Sequence, residues 1–210
     1  MNTRSYQKGA GIILIHMTIK SGIVFSIIFF VALNVVNAQF LPIGGSGKCE
    51  VTEVVLAEGF PRTFLFTNDL TWFKTLPRSD AKLSTAVKDS VEGKVSANYE
   101  FLVYAQSGIL RKVAGSVSYH INVETKDGKY RYSFTDFVYH YYAQNRNYQM
   151  VKTGSTKLLE ETKARGWQKL WTEHRRTVFA LVNNQVNDLK VKMVETPKPL
   201  SEKEEKKVEW

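Results

Sequence analysis

Cysteine is almost absent from this chain. Cys49 stands alone, so no internal disulfide can form and a packed core has to hold the fold. With one thiol, and with His120, His140 and His174 scattered over the second half, no residues stand at zinc-ligand spacing. A metal site is not expected. Phosphate-cradling glycine loops, a Gly-x-Ser-x-Gly elbow and a His-Glu-x-x-His pair are missing too, which removes the enzyme classes that depend on those motifs. No cofactor is implied. Long apolar runs are also lacking: Gly22 to Val36 spans about 15 residues, short of the roughly 20 that a helix needs to cross a hydrocarbon core.

That run is better explained as an export signal. Lys20 precedes it and Val36-Asn37-Ala38 follows it, giving a charged flank, an apolar centre and a small-residue cleavage site. Residues 1–38 are therefore expected to be a secretory signal peptide cleaved after Ala38, and Met17 offers an alternative start of translation. A retained inner-membrane signal anchor is the alternative, and the only route by which this chain would touch a membrane. Cys49 is not a lipid-attachment site, because Lys48 precedes it and it lies well past the apolar run.

Charge narrows the field less. The formal +9 falls to +6 once the leader cations Arg4, Lys8 and Lys20 are set aside, a surplus compatible with anionic partners but equally with plain solubility. Composition is that of a globular protein, with 43% hydrophobic and 23% charged residues. Residues 39–49 are glycine-rich and read as a flexible spacer. Residues 195–210 carry two prolines and the run Glu202-Lys203-Glu204-Glu205-Lys206-Lys207, and read as a charged disordered tail. Residues 50–194 remain as a single domain.

Within that domain, Val51 to Leu56 is rich in β-branched residues and ends at Gly59-Phe60-Pro61, which predicts a strand. Phe66, Leu70 and Phe73 predict a helix over Arg62 to Leu76. Lys82 to Lys88 predicts a second strand. Val95, Ala97, Tyr99, Phe101 and Val103 then alternate with polar residues, as do Val117, Tyr119, Ile121 and Val123, so both stretches are strands with one buried face. Asp127-Gly128 predicts a hairpin into Tyr130 to Tyr142. Pairing Lys126 with Lys129 sets Val123 against Tyr132, Ile121 against Phe134 and Glu124 against Arg131, so apolar pairing and charge agree on one register. From Thr156 to Met193 the spacing turns to threes and fours, notably from Trp167 on, and Ser155 can cap the start of a long amphipathic helix. The fold class is α+β: an antiparallel sheet in the order β-α-β-β-β-β-α with both helices on one face.

These residues resemble a known family. Lys94 to His140, with the hairpin Thr125-Lys126-Asp127-Gly128-Lys129-Tyr130-Arg131-Tyr132 and the ending Phe134-Thr135-Asp136-Phe137, is similar to the bacterial domain-of-unknown-function family 4468, as is the Trp-bearing helix that follows. The resemblance implies a fold like that of the TATA-binding protein and an exported setting in bacteria with an outer membrane. It supplies no catalytic residue.

Phe137, Tyr139, His140, Tyr141 and Tyr142, with Arg146 nearby, are the candidate binding residues, because aromatic rings at one strand end can stack on bases or sugars. Part of the cluster is expected to be core instead. Asp136 falls on the buried parity of the hairpin beside Tyr119, where a carboxylate has a functional role or is satisfied by a place near the strand end, by a bulge or by a helix N-terminus. His174 falls on the apolar stripe of the last helix, and His120 on a polar parity. The reading that follows is an exported, non-catalytic cell-envelope protein, periplasmic or associated with the outer membrane, that binds an envelope protein or ligand. An envelope hydrolase acting on a surface polymer is the alternative. A nucleic-acid-binding module is disfavoured, because the open face presents Ser116, Ser118, Asn122, Ser133 and Thr135 rather than the cations that phosphates require.

Overall fold

Period-two burial decides the architecture. In the computed structural model, which describes residues 40–76, 79–105 and 111–196 with the side chains of residues 85 and 86 excepted, Val95, Ala97, Tyr99, Val117, Ile121, Val123 and Phe134 are all buried. Their strands are β3 (Lys94–Tyr104), β4 (Val113–Lys126) and β5 (Lys129–Gln144). With β1 (Val51–Leu56), β2 (Ala81–Asp89) and β6 (Met150–Leu158) they form a six-stranded antiparallel sheet in the order β1-β5-β4-β3-β2. The sixth strand shares β5: β1 pairs with its first half, Lys129 to Phe134, and β6 with its second, Val138 to Gln144. The expected signal peptide, Ala38 and the tail beyond residue 196 lie outside the described residues.

The hairpin has the register read from the sequence: Lys126 opposes Lys129, Val123 opposes Tyr132, Ile121 opposes Phe134 and Glu124 opposes Arg131. Its turn also serves a helix. The helix α1 (Arg62–Thr75) starts at Pro61, which offers no side-chain cap, and the Asp127 carboxylate accepts the Arg62 backbone N–H at 2.7 Å. A helix leaves its first N–H groups without intrahelical partners, so the turn that sets the register of the sheet also fixes one helix end.

The second helix, α2 (Gln168–Met193), buries Trp171, His174, Val178, Val182, Val186, Leu189 and Met193. Both helices cover the face that carries Tyr99 and Tyr119. Tyr119 donates to Gln185 of α2 at 2.5 Å, and Tyr99 donates to the Leu76 carbonyl just past α1 at 3.4 Å. Asn68 of α1 donates to the Met193 and Glu195 carbonyls at 3.1 Å each, closing the end of α2.

Two expectations are corrected. The last helix begins at Gln168, not Thr156, because Met150 to Leu158 is a strand. Only one of the nine residues of β6 is buried, so it has no apolar alternation by which it could be read. Residues 40–49 are not a flexible spacer: Ile43 bridges Cys49, Gly44 N–H donates to the Lys48 carbonyl, and Leu41 and Cys49 are buried in the core. The glycines of this stretch make a tight turn, and the two apolar residues flanking it anchor the turn to the core.

Asp69 is fully buried in α1, and neither carboxylate oxygen has a partner among the described residues. Burial raises its pKa well above the usual carboxylate value. A raised folded pKa means that stability is greatest below the unfolded value, about 3.9, and declines as pH rises through the folded one. Asp69→Leu is expected to raise the urea midpoint at pH 7, with a gain that shrinks toward pH 4; an unchanged or lower midpoint at pH 7 would contradict this.

Asp136 adopts φ 57 at a bulge between the pairs Ser118–Val138 and His120–Thr135. Asp and Asn tolerate this left-handed region and β-branched residues do not. Asp136→Val is expected to cost about 1–2 kcal/mol while Asp136→Asn leaves the midpoint nearly unchanged, as measured by urea unfolding.

Candidate functional site

The bulge at Asp136 also sorts the aromatic strand end. Before it, Tyr130, Tyr132 and Phe134 point to the helices; after it, Phe137, Tyr139 and Tyr141 do, and His140 and Tyr142 turn to the open face. The expected single platform is therefore split in two. Phe137 is 1% exposed and packs against Tyr119 with ring centroids 5.0 Å apart, so it is core and not a binding residue: the extra residue of the bulge turns Asp136 out to solvent and puts Phe137 in its place. Arg146 lies exposed in the β5–β6 turn.

On the helix side, Tyr139 forms a floor. Trp171 meets it edge-on at 5.5 Å, Tyr141 edge-on at 4.9 Å, and His174 stacks on it at 5.4 Å. A cavity of about 190 Å³ opens here, lined by these four rings together with Leu170, Arg165 and Trp167. Trp167 is 69% exposed. The segment between β6 and α2 that carries Arg165 and Trp167 is held by side chains of the helix. Gln168 accepts from the Ala164 N–H and donates to the Thr162 carbonyl, both at 2.9 Å. Trp171 donates to the Glu161 carbonyl at 2.8 Å, and the buried Lys157 lies 4.9 Å over the Trp171 ring. Burial pushes the Tyr139 hydroxyl up to about 12, so it stays protonated and donates to the Ala114 carbonyl at 2.9 Å.

On the open face, polar side chains pair with one another. Glu100 accepts from Ser116 at 2.5 Å and meets Lys152 at 2.6 Å. Burial would raise the pKa of Glu100, but these partners hold it below the usual carboxylate value. Ser118 lies 2.8 Å from His140 Nε2, and Asn98 lies 3.0 Å from His120 Nδ1. Burial, with Lys152 nearby, lowers the pKa of His140. Tyr142 and Lys152 border a second cavity of about 310 Å³ with Asp80, Lys82 and Glu100. The described residues contain no cluster of histidine, cysteine or carboxylate side chains able to hold a metal ion.

Sequence reasoning missed Trp167, Arg165 and the Ser118–His140 contact. Apolar spacing predicts Trp167 as the first residue of a helical stripe and places Arg165 within the same helix. Ser118 and His140 are 22 positions apart, and only the bulge brings His140 to the face of Ser118.

Residues 52–140 match the model of the domain of unknown function DUF4468, described as having a TBP-like fold. The match spans less than half of the chain. The chain is also similar to a DUF4468 family protein from Bacteroides ovatus ATCC 8483, with 16% identity and a TM-score of 0.49 over 78% of this chain and 95% of that one. A TBP-like protein from Parabacteroides distasonis ATCC 8503 is similar at 15% identity and a TM-score of 0.46, over 71% of this chain and 96% of that one. No curated protein matches. The match runs from Thr52 in β1 to His140 in β5 and stops short of Tyr141, Arg165 and Trp167, so the cavity lies partly beyond the matched residues.

His174 lies beneath that cavity, 4% exposed, and its Nε2 has no partner among the described residues. Burial lowers its pKa, while a hydrogen bond with the Tyr104 backbone and the charge of Glu173 pull the other way. A depressed histidine pKa means that stability is full above the unfolded value, about 6.5, and is lost as pH falls below it. The domain is expected to lose stability between pH 7.5 and pH 5.5. His174→Phe should remove part of that loss, and urea midpoints at the two pH values that fall equally in both proteins would refute the assignment.

Proposed function

We propose that this chain is an exported, non-catalytic binding module of the cell envelope whose ligand sits in the cavity between Tyr141 and Trp167. The observation that supports it most is the exposed Trp167 beside that cavity, with Arg165 at its margin and three buried rings beneath. Trp167 stands on a segment pinned by Gln168 and Trp171, next to a recess lined by further rings, and so offers a stacking face to a ligand. Export rests on the leader read in residues 1–38.

One observation favours a second reading, an envelope hydrolase: Ser118 and His140 stand at the distance of a nucleophile and its base. Against it, the contact lies on a sheet face whose polar groups satisfy each other, and His140 has no orienting carboxylate bond among those found in the described residues. Nucleic-acid binding is supported less. Arg131 is engaged by Glu124 at 2.6 Å and Lys152 by Glu100 at 2.6 Å, so the cations that phosphates would need already have partners.

The full-length tagged protein is expected to fractionate with the envelope and to retain a molecule from it that the Trp167→Ala variant does not, with the urea midpoint of the variant unchanged. Equal retention by both proteins would overturn the assignment of the cavity. Covalent labelling of Ser118 by a fluorophosphonate probe would establish the hydrolase reading in its place.

A further inference from the structure

The cavity by Trp167 has three properties that together select a chemical class. It is small: about 190 Å³ is below the roughly 300–1,000 Å³ of sites that engulf drug-sized ligands, so it takes one ring and leaves the rest of the ligand outside. It is aromatic, with Tyr141 and Trp167 at the margin and Tyr139 and Trp171 beneath. Its charge is of one sign, because His174 is kept neutral by burial and Arg165 is the one charged side chain lining it.

Trp167, 69% exposed, distinguishes between the ring types that could enter. A flat aromatic ring stacked on it would keep an apolar outer face in water, and the apolar area left exposed would gain nothing. A pyranose ring differs from face to face and at its edge: its C–H face packs on an indole while its hydroxyls stay hydrated. The guanidinium of Arg165 is a planar donor suited to two oxygens of a carboxylate. Arg165 and Tyr141 line the same recess, and the Tyr141 hydroxyl feels the charge of Arg165 together with the opposite charge of Glu161.

Resting on the binding-module reading, we infer that the cavity recognises a single uronic-acid residue of an acidic saccharide, its ring packed against Trp167 and Tyr141 and its carboxylate held by Arg165. Nothing covalent is involved. Recognition of one ring at the edge of the domain suits a terminal or side-branch sugar of a larger polymer, because the remaining units lie outside the cavity.

The test titrates the full-length protein with trigalacturonate, with the neutral trimer cellotriose and with benzoate as an aromatic carboxylate, following tryptophan emission and calorimetric heat. Trigalacturonate is expected to change the emission and to bind more weakly as salt rises. Trp167→Ala should weaken it about tenfold, and Arg165→Gln roughly fivefold while leaving cellotriose unaffected. Trp167→Phe, which keeps a stacking face, should restore most of the affinity. Binding of benzoate but of neither saccharide, with the same sensitivity to Trp167→Ala, would overturn the saccharide assignment and leave the binding site standing. No response to any of the three, together with unchanged retention of envelope material by Trp167→Ala, would overturn both. Equal affinity for cellotriose and trigalacturonate would overturn the role of Arg165 and the acidic class with it.

Discussion

One extra residue in β5 governs both faces of this domain. Asp136, in the left-handed region at φ 57, lets Tyr119 of β4 face two residues of β5, and every side chain beyond it changes sides. Had the pairing run on unbroken, Asp136, His140 and Tyr142 would lie under the helices, and Tyr139 and Tyr141 would face water. A buried carboxylate and histidine would then have to be neutralised or paired. The bulge avoids this by turning Asp136 outward, where it lies 4.0 Å from Lys48. It also marks the place where β5 changes partner from β1 to β6. The strand is 16 residues long, more than the six of β1 can accompany, so its second half needs another neighbour.

The two faces that result differ in how their polar groups are satisfied. On the open face, hydroxyls, carboxylates, imidazoles and cations form pairs across strands, and each pair leaves less capacity for an outside partner. Exposed ion pairs of this sort contribute little to stability, but they do define a surface that is polar and closed on itself. At the helix side the rings of Tyr139, Trp171 and His174 pack together, and the packing stops short at Tyr141 and Trp167, where apolar surface remains in contact with water. The same aromatic cluster thus stabilises the seat of α2 and supplies a recess at the surface.

Long-range contacts link these regions to the rest of the chain. Asp127 of the hairpin turn caps α1, Asn68 of α1 closes α2, and Gln168 and Trp171 of α2 pin the segment that carries Trp167. Lys190 of α2 meets Glu53 of β1 at 2.7 Å, and the Tyr132 hydroxyl donates to the same carboxylate. Each contact satisfies a backbone or charged group that its own element leaves unpaired, which explains why helices with weak caps of their own keep defined ends.

The α+β class, the hairpin register and the helix-bearing face were legible in the sequence because strand burial has a period of two, helix burial a period near 3.6, and Asp-Gly turns have a steric cause, all of them local. Val123 against Tyr132 follows from such local rules alone. Three features did not follow from them. β6 is an edge strand whose side chains are almost all exposed, so no pattern announces it. Residues 40–49 have spacer composition, yet Leu41 and Cys49 find a core to enter. The split of Tyr139 and Tyr141 from His140 and Tyr142 depends on where the extra residue of the bulge falls, and the cavity depends on Trp167 arriving from residues far along the chain. Those are decided by which surfaces meet once the sheet has formed, and the tertiary structure alone settles that, because the free energy of burial depends on the partner surface and not on the segment that carries it.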